Sequence, residues 1–140
     1  MSSNPSRSPT SEAAGDEAGD GAVTLSAPPV VAESSALDLT LRALRPILVD
    51  RDVTELCINR PGEAYVETLA GWQCVPLAFA SYAWCLGLAK LVANSTRQRI
   101  DAESPLLSAA LPGGERIQLV LPPATAPGTV AITIRRPANE

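Results

Sequence analysis

Apolar and polar positions alternate most regularly near the carboxyl end of the chain. Within residues 111–136, Ile117, Leu119 and Leu121 alternate with Arg116, Gln118 and Val120; after a proline-rich loop, Val130, Ile132 and Ile134 alternate with Ala131, Thr133 and Arg135. Period-two alternation marks a half-buried strand. If the two strands pair antiparallel about the loop, matching apolar to apolar sets Ile117 opposite Ile134, Leu119 opposite Ile132 and Leu121 opposite Val130. That register also sets Arg116 opposite Arg135. Like charges directly across a ladder destabilise it by up to roughly 1 kcal/mol, so the pair asks for an anion or a carboxylate between them.

Upstream the pattern changes period. Leu37, Leu41, Leu44 and Leu48 form one helical stripe that Ser34 or Ser35 can cap, and Pro46 should kink or end that helix near Arg45. Residues 53–58 and 64–67 read as a hairpin about the turn Asn59-Arg60-Pro61-Gly62, and residues 72–75 as a third strand. Residues 81–94 read as a second helix, capped by Ser81, with Cys85, Leu88, Leu91 and Val92 on one face. So apolar a helix is covered either by its own sheet or by another subunit. Residues 106–111 then lead through Pro112-Gly113-Gly114 into the Arg116 strand. The order helix, three strands, helix, three strands predicts an α+β fold: an antiparallel sheet of about six strands with two main helices packed on it.

Composition divides the chain. Residues 1–33 are rich in Ser, Gly, Ala, Pro, Asp and Glu without an aromatic residue, and read as a disordered acidic tail before a domain at 34–140. The overall formal charge is −4, and Arg7 against Glu12, Asp16, Glu17, Asp20 and Glu33 places all of that excess in the tail. The domain is therefore neutral, without the basic excess of a nucleic-acid module. Absence of histidine removes His-based acid–base chemistry and His metal sites. Cys57, Cys74 and Cys85 lack CxxC spacing and read as small buried residues. No signal peptide is visible and no apolar run reaches the roughly 20 residues that span a bilayer, which predicts a cytoplasmic protein.

Three features invite a chemical reading. Gly113-Gly114 lies between two strands with no Lys following, so it is a turn and not a phosphate-binding P-loop. Asp101 and Glu103, beside Arg97 and Arg99, read as a solvated loop and not as an acid–base pair. Arg116 and Arg135 are individually ordinary surface residues or partners of Glu115 or Glu67, but their convergence favours an anion site, because planar guanidinium groups contact phosphate oxygens bidentately. Arg136 points to the other face and is a weaker candidate. Asn59 is either a turn residue or a side-chain amide available to a base or ribose.

Residues 53–67 (VTELCINRPGEAYVE), followed by residues 99–137 (RIDAESPLLSAALPGGERIQLVLPPATAPGTVAITIRRP), strongly resemble the amino-terminal domain of the traffic ATPases of bacterial type IV secretion and conjugation machines, within the type II/type IV secretion ATPase family. The resemblance implies a PAS-like domain that precedes a RecA-like motor. It further implies a homo-hexamer of two stacked rings that works with inner-membrane secretion components at the cytoplasmic face. ATP with Mg²⁺ then lies between the two domains of the complete enzyme, and no cofactor is expected to bind tightly to this domain alone. Arginines matching Arg116 and Arg135 are implied to reach the phosphates, and the turn around Asn59 to lie toward base and ribose. The chain carries no Walker A loop, Walker B aspartate or histidine box, so it lacks the Lys and Mg²⁺ ligands that carry phosphoryl transfer. It is thus expected to be the ring-forming, nucleotide-capping part of an ATPase; the alternative is a stand-alone, non-catalytic PAS-like adaptor or regulator.

Overall fold

The computed structural model describes residues 27–32 and 35–137. Helix α1 (Ser35–Arg42) buries Leu37 and carries Leu41 half-buried against the core. The chain turns at Ala43-Leu44 and resumes as the single-turn helix α2 (Arg45–Leu48). Pro46 falls in the first turn of α2, where its missing N–H costs no helical bond, so the expected interruption lies just ahead of the proline. Leu44, the hinge residue between the helices, is fully buried.

Strands β1 (Glu55–Arg60), β2 (Glu63–Thr68) and β3 (Gly71–Pro76) form the expected meander. The first turn is tighter than the four-residue turn read from sequence. It consists of Pro61-Gly62, with Gly62 at φ +89°, while Asn59 and Arg60 belong to β1. Helix α3 (Tyr82–Thr96) opens at Ser81, whose Oγ accepts a hydrogen bond from the Trp84 N–H at 3.0 Å. Arg97 closes it in the left-handed region, at φ 56°. Strands β4 (Leu106–Ala110), β5 (Arg116–Val120) and β6 (Ala131–Arg135) complete one antiparallel sheet of six strands in the order β3-β2-β1-β6-β5-β4.

The two three-stranded units meet through β1 and β6, the first and last strands in the chain. Within the sheet, Leu56, Ile58, Ile117, Leu119, Ile132 and Ile134 bury one face in a single cluster with Leu37, Leu44, Cys85, Leu88, Ala89 and Val92 of the helical layer. Helix α3 is thus covered by its own sheet, the first of the two alternatives left by its apolar sequence. Residues on the other face, including Glu55, Cys57, Tyr65, Gln118 and Thr133, are half-buried or exposed, and no described helix covers them.

Most of the acidic extension expected over residues 1–33 lies outside the described residues. Of the described part, Val30 forms a parallel bridge with Ala110, Ala110 N–H donates to Pro29 O at 2.8 Å, and Val31 is buried. Contact with the sheet therefore starts ahead of the compositional break at residue 34. The expectation for cysteine holds only for Cys85; Cys57 is half-buried and Cys74 exposed, both on strands of the sheet.

Candidate functional site

The register of the last hairpin is the one that the apolar alternation demands. Ile117 pairs with Ile134, Leu119 with Ile132, and Arg116 with Arg135. Since Ile117 and Ile134 point into the core, Arg116 and Arg135 emerge together on the open face. Across the central junction Glu55 pairs with Arg135, so one transverse row reads Arg116, Arg135, Glu55 and Glu67 over four adjacent strands.

The carboxylate called for by the two arginines is Glu55, and neither Glu67 nor Glu115 supplies it. Glu55 Oε1 lies 3.5 Å from Arg135 Nη2. Its other oxygen, Oε2, accepts from the Cys57 thiol at 3.3 Å. Burial, reinforced by that carboxylate, pushes the Cys57 thiol above its ordinary pKa. Glu67 instead accepts from the Thr54 hydroxyl at 3.2 Å, and Glu115 folds its carboxylate over Gly113. Among the described residues no carboxylate lies within ion-pair distance of Arg116. The Arg135 side chain remains 67% exposed, so its ion pair leaves most of the guanidinium edge open to a ligand.

The arginine pair lines an open groove of about 460 Å³, together with Pro28, Pro29, Gln98 and Gln118. Gln98 is held at the rim through Nε2, which donates to Ser108 O at 3.0 Å and to the Thr96 hydroxyl at 2.9 Å. Arg135 also borders a second, smaller groove with Arg51, Thr54 and Arg136. The face thus offers guanidinium, amide and hydroxyl groups at one edge, a donor set suited to an oxyanion. Among the described residues no group of three or more Cys, Asp or Glu side chains could hold a metal ion.

Asn59 is not brought to this groove. It occupies the opposite end of β1 from Glu55, four residues along a strand that rises about 3.3 Å per residue, or roughly 13 Å away. It is exposed, at a point where the β1–β2 register shifts between Cys57 and Arg60. Arg136 leaves that face, as expected. It clamps the helical layer to the sheet: Nε donates to Val53 O at 2.8 Å, and Nη2 donates to Asp50 O at 3.1 Å and to Leu48 O. These carbonyls cluster after the last turn of α2, so Arg136 caps a helix end from across the molecule. Asp101 and Glu103 pair with Arg99, at 2.5 and 2.7 Å, within their own loop. The Arg99 guanidinium beside it holds the Asp101 carboxyl below the usual range. Gly113-Gly114 is a turn between β4 and β5, with Gly114 N–H donating to Leu111 O at 2.8 Å.

No protein-family model matches the chain. Over 105 residues it is 42% identical to the type IV secretion system protein PtlH of Bordetella pertussis, a match covering 75% of this chain and 31% of that protein. Over 108 residues it is 40% identical to the type IV secretion system protein VirB11 of Brucella suis, covering 77% and 30%. Its structure is similar to the crystal structure of the VirB11 ATPase from the Brucella suis type IV secretion system in complex with sulphate, with a TM-score of 0.71 and 40% identity over 74% of this chain and 31% of that one. The chain therefore spans about a third of the length of these relatives. Sequence and fold agree over the same extent: this chain is a homologue of the PtlH and VirB11 type IV secretion proteins, related to the amino-terminal region of that family's ATPase.

Proposed function

We propose that this chain is the ring-forming, nucleotide-capping domain of a hexameric ATPase that powers type IV secretion, at the cytoplasmic face of the inner membrane. The observation that carries the reading is the juxtaposition of Arg116 and Arg135 on an open sheet face, with one carboxylate partner between them among the described residues. An unbalanced guanidinium pair at the rim of a groove is suited to the oxygens of a polyphosphate. In this reading Asn59, roughly 13 Å along β1 from the arginine row and outside the groove, would serve the base and ribose end of an extended nucleotide.

This chain would supply one wall of the site, a PAS-like cap with phosphate contacts. The Mg²⁺ ligands and the phosphate-binding Lys belong to a motor domain, and Mg²⁺ there would neutralise charge on the transferred phosphoryl group. No helix of the described residues is long and apolar enough to cross a membrane.

Titration of ATP into the ¹⁵N-labelled chain tests the assignment. The amides of Arg116, Gln118, Thr133 and Arg135 are expected to move together, with an affinity in the millimolar range, on the order of −4 kcal/mol, that befits half a site. Absence of shifts in this row at about 20 mM ATP, a concentration well above that range, would contradict the reading.

A further inference from the structure

The described chain begins at the arginine groove. Val31 N–H donates to Ala110 O and Ala110 N–H to Pro29 O, both at 2.8 Å, which fastens residues 29–31 to Ala110, the last residue of β4. Pro28 and Pro29 form part of the groove wall that faces Arg116 and Arg135. The segment preceding Pro28 is therefore tethered at the lip of a groove whose charged lining residues are both cationic.

That segment is acidic. The charged side chains of residues 1–26 are Glu12, Asp16, Glu17 and Asp20 against Arg7. An extended chain covers about 3.3–3.6 Å per residue, so the interval between Asp20 and Pro28 reaches up to roughly 29 Å. Reach does not restrict these carboxylates, and a short tether holds them at an effective concentration on the order of millimolar.

We propose that the acidic segment of residues 12–20 docks in the Arg116–Arg135 groove as an intramolecular anion. It fills in part the charge that Glu55 leaves uncompensated, and a polyphosphate ligand must displace it. The contact rests on charge complementarity and tethering; only the competition depends on the phosphate reading proposed above. Exposed carboxylate–guanidinium contacts are individually weak and screened by salt, so the segment acts as a displaceable competitor and not as a permanent plug.

The test uses the full 140-residue chain and its Glu12→Gln/Asp16→Asn/Glu17→Gln/Asp20→Asn variant, with melting curves to verify equal folding. Without ligand at about 20 mM salt, where screening is weak, the amide resonances of Arg116, Gln118, Thr133 and Arg135 are expected to differ between the two proteins, and to converge at about 0.5 M salt. Tripolyphosphate is expected to bind the variant about two- to fivefold more tightly at low salt, the size of a competing weak intramolecular contact. Identical resonances at low salt would overturn the docking. Differing resonances with equal tripolyphosphate affinity would overturn the competition. Differing resonances with no tripolyphosphate binding by either protein would support the docked segment while removing the phosphate reading.

Discussion

Glu55 makes the two central arginines unequal. Among the described residues its ion pair with Arg135 has no counterpart at Arg116, and a pair whose guanidinium is largely exposed is worth about 0.2–1 kcal/mol. Glu55→Gln should therefore strengthen tripolyphosphate binding by up to about fivefold at low salt, as measured by titration calorimetry; weaker binding would contradict the assigned role. The arginine register was legible in the sequence because two alternating strands joined by one loop leave a single register that buries all the apolar residues. Glu55 was not legible, because it reaches Arg135 through a pairing between the first and last strands. Cys57 shows a different failure. With Leu56 and Ile58 in the core, the parity of β1 already placed Cys57 on the open face, yet the general preference of cysteine for burial outweighed it in the sequence reading.

Cys85 obeys that preference and has a measurable consequence. Burial pushes its thiol up to about 11, above the value it takes when unfolded. The folded state therefore favours the protonated thiol, and the associated stability is present below about pH 9 and lost as pH rises toward about 11. The shift corresponds to about 2–3 kcal/mol at most. Between pH 8 and about 11, Cys85→Ala should lose less unfolding free energy than the parent, as measured by urea titration. Equal losses would contradict the assignment. In the native protein at neutral pH, alkylation should proceed at exposed Cys74 first and at Cys85 last.

At the scale of elements, Arg136 holds together parts that the sequence shows separately. Its guanidinium binds carbonyls of Leu48, Asp50 and Val53, joining the end of α2 and the approach to β1 to the end of β6, a central strand of the sheet. Truncation would remove the Arg136 donor from the Leu48 and Val53 carbonyls, whereas Asp50 O keeps the Val53 N–H at 3.1 Å, and hydrogen bonds to a charged group contribute about 1.5–3 kcal/mol. Arg136→Ala should therefore lower stability by about 2 kcal/mol and speed amide exchange in residues 48–53 more than in α3. Uniform exchange across the domain would contradict the clamp. From the sequence, strand parity could show only that Arg136 leaves the open face. Its partners belong to a loop whose path depends on the whole fold. Local signals fared better: Pro46 marked the break in the first helix, and Ser81 marked the start of α3.

At the scale of the molecule, the sequence disclosed two three-stranded units, each preceded by a helix. It predicted one sheet of about six strands, as found, but not that the two units join through β1 and β6. That junction puts Glu55 beside the arginine pair and leaves a continuous open face opposite the helical layer. That open face, with its guanidinium pair, is the one that the proposed cap would turn toward a nucleotide.

The most direct measurement is ATP affinity and turnover in the proposed hexameric ATPase, comparing the parent with Arg116→Ala/Arg135→Ala. Each charge-assisted contact is worth about 1.5–3 kcal/mol, so the double substitution should weaken ATP binding by at least about tenfold and lower turnover, with the hexamer intact. Unchanged affinity and turnover in an intact hexamer would contradict the assignment of these arginines to the nucleotide.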